Sequence, residues 1–89
     1  MFYIYVLKSK KDKQNYTGYT GDLKKRLLEH NEGKVRSTKN RGPLELIYFE
    51  GCLNRKDALK REAYLKTTYG KRYIKNRLRV YLNEIENIL

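Results

Sequence analysis

The chain has 89 residues, with 21 lysines and arginines against 10 acidic side chains, which gives a formal net charge of +11. The length fits one domain over residues 1–89, and a domain this basic usually binds polyanions, most commonly nucleic acid. A single cysteine, Cys52, excludes an intrachain disulfide and a cysteine-rich zinc site. Together with an N-terminal segment that lacks the features of a signal peptide or membrane span, it predicts a cytoplasmic protein with no membrane partner.

The first 18 residues have the pattern of a β-hairpin. Residues 2–8 alternate and are rich in β-forming side chains, and residues 14–18 return as a second strand after a polar turn. If the loop between the strands has an even number of residues, Tyr5 and Tyr16 lie on the same face of the sheet.

The next segment, at about residues 22–32, predicts an amphipathic helix. Leu23 and Leu27 are four residues apart and form its inward stripe. Arg26 and His30 are also four apart and fall on the edge of the same stripe. A fully solvated helix would place these two polar side chains opposite the leucines, so their position indicates a polar site at this edge.

A basic loop follows, bounded by Gly33 and Pro43. It contains four cations and no acid, which allows two interpretations: a solvated connector, or a loop that contacts phosphate groups. The sequence leaves both open, and the candidate phosphate contacts are Lys34, Arg36, Lys39 and Arg41.

The second half of the chain predicts one strand and several helical segments. Residues 44–50 are β-rich. A helix is expected over about 55–69, with Asn54 as its cap and Gly70 as its stop. Residues 71–88 are expected to be helical again, in two pieces anchored by apolar side chains, including Ile74, Leu78, Tyr81, Ile85 and Ile88.

Glu62 is the most informative side chain of this half. It projects close to the apolar stripe that Ala58, Leu65 and Tyr69 form on the predicted helix. A carboxylate in such a stripe is costly unless it is paired or binds a metal. Three explanations remain open: a buried Glu–Arg pair, an apolar stripe rotated by a few tens of degrees, or a metal site. Asn76, further on, is either an ordinary surface residue or a polar contact at the edge of a site.

The polar residues directed toward the core form a chemically coherent set. One carboxylate could hold one hard cation such as Mg²⁺, and an arginine could neutralise charge on a phosphorus oxyanion. A tyrosine or the histidine could accept a proton from water. These are the components of metal-assisted phosphodiester hydrolysis, and here they are Tyr5, Tyr16, Arg26, His30 and Glu62.

In order and spacing this set resembles the GIY-YIG nucleases. Residues 3–5 (Tyr-Ile-Tyr) and 16–18 (Tyr-Thr-Gly) stand where that family has Gly-Ile-Tyr and Tyr-Ile-Gly. The chain departs from the pattern at Tyr3, at Thr17 and at Tyr19, where some members have a lysine. The later positions that match the family's functional residues are Arg26, His30, Glu62 and Asn76.

The resemblance, which is greatest to small stand-alone bacterial members, implies an α+β fold with a three-stranded antiparallel sheet flanked by helices. It implies a divalent-metal-dependent endonuclease that hydrolyses DNA, including branched or damaged DNA, as in DNA repair or recombination. Glu62 would hold one Mg²⁺ or Mn²⁺ ion and Arg26 would bind the scissile phosphate.

The same resemblance suggests roles for the remaining polar residues. Tyr16 would be the general base and Tyr5 would hydrogen-bond nearby to water or phosphate, while His30 would assist proton transfer or contact phosphate. The alternative is a catalytically weak nucleic-acid-binding module with the same fold. The sequence leaves the oligomeric state open.

Overall fold

The structure, a computed structural model, describes the backbone of residues 1–88 and the side chains of residues 1–85. Three antiparallel strands and four α-helices give the α+β architecture that the sequence predicts. In chain order the elements are β1 (Phe2–Ser9), β2 (Asn15–Thr20), α1 (Leu23–Asn31), a short 3₁₀ turn (Arg36–Thr38), β3 (Leu44–Cys52), α2 (Arg55–Leu65), α3 (Thr68–Arg77) and α4 (Arg79–Ile88).

The sheet has the strand order β2-β1-β3, so β1 lies at its centre. Ile4 and Val6 face α2 and α3, whereas Tyr5 and Leu7 face the layer that contains α1. None of these four side chains is more than 1% exposed. Burying each of the three aliphatic side chains stabilises the fold by roughly 1.5–3 kcal/mol, and β1 therefore holds the two helical layers together.

The hairpin confirms the prediction about the two tyrosines. Lys8 and Asn15 are the last pair of the ladder and leave an even loop between them, and Tyr16 lies opposite Leu7 on the face that Tyr5 occupies. Strand β2 is longer than expected and ends at Thr20, because its last residues still pair with β1.

Helix α1 begins where a side-chain cap is available. The Asp22 carboxylate accepts a hydrogen bond from the backbone N–H of Lys25 at 3.1 Å, which satisfies one of the free donors at a helix start. Gly33 follows the end of the helix with φ of +75°, a conformation that glycine adopts at little cost. The leucine stripe, Leu23 and Leu27, packs against the Tyr5 face of the sheet as predicted.

The prediction of a single helix over residues 55–69 is wrong, because this segment forms α2 and the start of α3. Thr67 caps α3 by accepting from the N–H of Gly70 at 3.2 Å, so a new helix begins before the expected stop. Gly70 is buried in the first turn of α3, where a Cβ would overlap the carbonyl of Tyr64 and the backbone of Leu65. The glycine is thus required for the close approach of α3 to α2, and does not end a helix.

The last two helices confirm the expectation of two helical pieces, although the first begins at Thr68. They meet at Leu78, and Tyr81 on α4 donates from its hydroxyl to Oε1 of Glu45 on β3 at 3.0 Å. The expected anchor Ile88 has its side chain outside the described residues. Within residues 1–88, none of the helices combines the length and apolar character that crossing a bilayer requires.

Candidate active site at the edge of the sheet

Tyr5 extends across the neighbouring edge strand toward its open side. Its partner in β2 is Gly18, and a Cβ at this position would overlap the ring and hydroxyl of Tyr5. The absent side chain therefore leaves the space in which the phenol lies. As a result, the hydroxyl of a side chain that is only 1% exposed reaches His30 and Arg26 on α1.

A chain of hydrogen bonds joins α1, β1 and the 3₁₀ turn. The Tyr5 hydroxyl lies 2.7 Å from Nε2 of His30, and Nδ1 of His30 lies 2.7 Å from Oγ1 of Thr38. Arg26 Nε donates to the Tyr5 oxygen at 3.4 Å. Because arginine is only a donor, Tyr5 keeps its own proton for Nε2. This pattern assigns the imidazole proton to Nδ1, where it is donated to Thr38.

The protonation states follow from burial. Burial and, to a smaller extent, the positive charge of Arg26 lower the pKa of His30 to about 4, while Glu29 partly offsets both. Burial also raises the pKa of Tyr5, although the hydrogen bond from Arg26 partly opposes the rise. At neutral pH the chain therefore consists of a neutral imidazole and a protonated phenol, which matches the donor directions above.

Tyr16 stands beside this chain and faces outward. Its ring centroid lies 5.2 Å from the His30 ring and 6.4 Å from the Tyr5 ring. Unlike Tyr5 it is only half-buried, and it lines an open groove with Arg26 and part of the basic loop. Tyr16 is therefore the tyrosine of the pair that a ligand in the groove can reach.

Arg26 connects the buried chain to the groove. In addition to its bond to Tyr5, its Nη1 lies 3.4 Å from Oε1 of Glu29, one turn along α1. Its side chain is 35% exposed, so the guanidinium is held at two points and remains open to the groove. The sequence prediction that Arg26 and His30 share the inward edge of this helix is confirmed, with His30 only 2% exposed.

The four cations of the basic loop do not act together. Lys34 and Arg36 line the groove with Tyr16. Arg41 turns away and pairs with Asp12 at 3.1 Å, and Lys39 is exposed and does not line the groove. The loop is thus partly a phosphate-contact candidate and partly a connector.

Thr38 is the site residue that the sequence did not identify. It is 1% exposed and holds His30, but in the sequence it is one hydroxyl residue in a basic, polar loop. Nothing in its neighbourhood predicts burial, because Thr38, at the end of the 3₁₀ turn, becomes buried only when the loop folds over α1.

Glu62 lies on α2, in the other helical layer. Its side chain is 20% exposed and pairs with Lys66 at 3.1 Å, so its ion-pair partner is a lysine on the same helix. The expected stripe is only partly correct, because Ala58 and Leu65 are buried whereas Tyr69 is 69% exposed. Burial is the main factor that raises the pKa of Tyr5, and the charge of Glu62 is a minor one that raises it further, which places the carboxylate within electrostatic range of the site.

The donor chemistry of Glu62 suits a hard cation. Within the described residues there is no group of three or more histidines, cysteines or acidic residues that could hold a metal ion. A divalent ion held by Glu62 would take its other oxygen ligands from water and substrate, as Mg²⁺ commonly does.

Asn76 lies outside this site. It lines a separate groove with the hairpin and α4, and its Oδ1 accepts from Nη2 of Arg79 at 3.3 Å. The structure thus brings together Tyr5, Tyr16, Arg26 and His30, places Glu62 within range, and separates Asn76 from all of them.

The sheet edge that holds two tyrosines, an arginine and a histidine lies within the part of the chain that matches a known protein family. The chain matches the GIY-YIG catalytic domain over residues 1–77 and belongs to this family. Membership supports a nuclease-type function on a nucleic-acid substrate, in a family whose members generally depend on a divalent metal.

Within the family the chain is similar to small bacterial UPF0213 proteins. It is 46% identical over 67 residues to UPF0213 protein CPE1444 of Clostridium perfringens, which is 74% of this chain and 71% of that protein. It is 46% identical over 66 residues to UPF0213 protein SSP2268 of Staphylococcus saprophyticus, 73% of this chain and 79% of that protein. The solution NMR structure of UPF0213 protein BH0048 from Bacillus halodurans superimposes with a TM-score of 0.54 and 31% identity, covering 85% of this chain and 84% of that one.

Proposed function

We propose that this protein is a divalent-metal-dependent endonuclease that hydrolyses DNA phosphodiester bonds at the open edge of β2. The observation that carries the proposal is the held guanidinium of Arg26, which faces a groove lined by Tyr16 and two loop cations. The protein's membership of the GIY-YIG family supports the same class of reaction.

Arg26 binds the scissile phosphate in this proposal. Its planar fork presents paired donors to phosphate oxygens, and its two anchors, Tyr5 and Glu29, fix the direction of the fork. A donor positioned in advance stabilises the charge that builds on the phosphate as water attacks.

Tyr16 is the proposed general base. Tyr16 lines the open groove together with Lys34, Arg36 and Arg26, so it is accessible to a water molecule that attacks a phosphate bound there. Tyr5 is less suited to this role because it is buried, has a raised pKa and already bonds to His30. We assign Tyr5 and His30 to positioning Arg26.

Glu62 is the residue that would hold the divalent ion, Mg²⁺ or Mn²⁺, and the bound ion would supply charge neutralisation at the phosphate. To hold the ion, the carboxylate would give up its ion pair with Lys66. The loss would be small, because ion pairs of this kind contribute about 0.3–0.5 kcal/mol on a helix.

The decisive experiment separates catalysis from binding at Arg26. Arg26→Ala should cleave about 10²–10³-fold more slowly in single-turnover assays with Mg²⁺, because the held donor is lost. DNA affinity, measured by fluorescence anisotropy with Ca²⁺, should change only a few-fold, because many other cations hold the backbone. Arg26→Lys should restore little activity, since an ammonium lacks the planar fork.

Lys25→Ala is the matched control, because Lys25 is exposed on the same helix and loses the same charge. It should cleave close to the wild-type rate, with circular dichroism confirming that all variants are folded. A folded Arg26→Ala protein that cleaves as fast as the control would refute this role.

The substrate assay should include branched, nicked, damaged, single-stranded and duplex DNA, each with Mg²⁺, Mn²⁺ or chelator. A role in DNA repair or recombination in the cytoplasm is part of the proposal, and preferential cleavage of branched or damaged DNA would support it. If the wild type binds DNA but cleaves none of these substrates, the protein is a binding module with the nuclease fold.

A further inference from the structure

A second groove lies on the opposite face of the sheet from Tyr5. The β1–β2 hairpin forms one wall, and α3 and α4 form the other. Val6 and Thr17, which pair with each other in the ladder, lie at its base. Its volume is about 700 Å³, which falls within the range of about 300–1,000 Å³ typical of small-ligand sites.

The charges around this groove are of one sign. Five basic side chains line it, and the lining contains no acidic residue. Among the described residues none of the five forms an ion pair, in contrast to the catalytic edge, where Arg26 and Lys34 each pair with a glutamate. Like charges collected in this way repel one another, and a bound anion relieves the repulsion. The five are Lys8, Lys13, Lys71, Lys75 and Arg79.

The rest of the lining suits something more than a bare phosphate. Four carboxamide side chains, which offer a donor and an acceptor together, stand among the cations. Asparagine and glutamine use this pair to bind the edge of a nucleobase. The floor is apolar but largely buried, and Leu82 is its partly exposed side chain that can contact the face of a base. The carboxamides are Gln14, Asn15, Asn76 and Asn83, and the floor consists of Val6, Leu65, Ile74 and Leu82.

We infer that this groove binds a nucleotide unit, with phosphate on the cations of α3 and α4 and the base on the apolar floor beside the carboxamides. A groove of about 700 Å³ is too small to enclose a duplex. The bound unit is therefore either a free nucleotide or an unpaired nucleotide of a longer nucleic acid. The site is separate from the catalytic edge and does not require that the protein cleave DNA.

The test uses two triple variants with equal loss of charge. Lys71→Ala/Lys75→Ala/Arg79→Ala removes three cations of the groove, and Lys10→Ala/Lys56→Ala/Lys60→Ala removes three exposed cations elsewhere. Both are made with Arg26→Ala, so that the oligonucleotide stays intact. Binding of a fluorescein-labelled hexanucleotide is measured by anisotropy as a function of salt.

The groove variant should bind the hexanucleotide at least about 10-fold more weakly. The magnitude of the slope of log affinity against log salt should fall by about 2, because each lost phosphate contact on a single strand reduces that magnitude by about 0.7. The control variant should stay within about 3-fold of its parent with an unchanged slope. Equal weakening in both variants would overturn the inference, because it would show general attraction to a basic surface.

Backbone amide NMR shifts identify the occupant. Addition of AMP should shift the resonances of Val6, Thr17 and Asn83, whereas inorganic phosphate should perturb them much less, and Asn76→Leu should reduce AMP binding but not phosphate binding. Tighter binding of the hexanucleotide than of AMP would identify a nucleic-acid site, and equal binding a free-nucleotide site. Shifts confined to the groove of Tyr16 and Arg36 would overturn the inference.

These outcomes are independent of the proposed catalysis. Groove binding without cleavage would leave the inference intact while refuting the nuclease function. DNA cleavage without AMP-induced NMR shifts in this groove would support the nuclease function and refute the inference.

Discussion

Protonation of His30 should destabilise the folded protein. The imidazole is buried between Tyr5 and Thr38, with Tyr16 against its ring. Burial and the charge of Arg26 lower its pKa to about 4, with Glu29 opposing them. An exposed histidine in the unfolded chain has a pKa of about 6.5. Between these values the unfolded chain binds more protons than the folded one, so stability falls as the pH falls.

The size of the effect follows from the difference between the two pKa values. Each pKa unit corresponds to about 1.4 kcal/mol, so acidification from pH 7 to pH 4 should remove about 3 kcal/mol of the free energy of unfolding. Most small domains have only about 5–15 kcal/mol in total, which makes this loss large enough to measure.

The assay is urea unfolding at several pH values between 7 and 4, followed by circular dichroism. His30→Gln is the reference variant because glutamine does not titrate, and carboxylates elsewhere contribute equally to both proteins. The free energy of the wild type relative to His30→Gln should fall by about 3 kcal/mol over this range. Because the chain has a single histidine, its imidazole NMR signal also gives the pKa of the folded state directly.

Two results would refute this reasoning. One is a stability difference that does not change with pH. The other is a folded-state pKa near that of an exposed histidine, which would mean that the imidazole is neither buried nor held by its two hydrogen bonds.

Three further predictions concern the same site. Gly18→Ala should displace Tyr5, lower the free energy of unfolding by about 1–3 kcal/mol through overpacking and slow cleavage. Gly21→Ala, where a Cβ meets open space, should have none of these effects. Equal melting temperatures and cleavage rates for the two variants would contradict this prediction. Thr38→Val should leave Nδ1 of His30 without a partner and cost about 1–3 kcal/mol in urea unfolding, and Thr38→Ser should recover most of the loss unless the hydrogen bond is unimportant. Glu62→Gln should abolish cleavage while leaving circular dichroism and DNA affinity unchanged, whereas Lys66→Ala should keep cleavage; an active Glu62→Gln variant would disprove the metal assignment.

The sequence predicts those parts of the site whose positions follow from the periodicity of a strand or a helix. Alternation on β1 placed Tyr5, an even hairpin loop placed Tyr16 on the same face, and helical spacing placed Arg26 and His30 on one edge. Each of these positions depends on local geometry, which a short segment determines by itself.

The parts that the sequence missed depend on contacts between distant segments. Gly70 looked like a helix stop, but its role is the close packing of α3 on α2, which no local pattern reveals. Thr38 is buried because a loop closes over α1. Asn76 lies across the sheet from the tyrosines because α3 packs on the face of Ile4 and Val6. Glu62 was identified as anomalous, but its lysine partner was not.

The central strand β1 also affects which register the chain adopts between β1 and β2 when it folds. Apolar side chains cover both faces of β1, so a slip of one residue against β2 would still leave each helical layer with hydrophobic neighbours. Two features penalise such a slip: only Gly18 accommodates the phenol of Tyr5, and only the native alignment delivers its hydroxyl to His30. The contacts that assemble the site thereby select the folding register, and a chain that lost them would risk mispaired strands as well as lost activity.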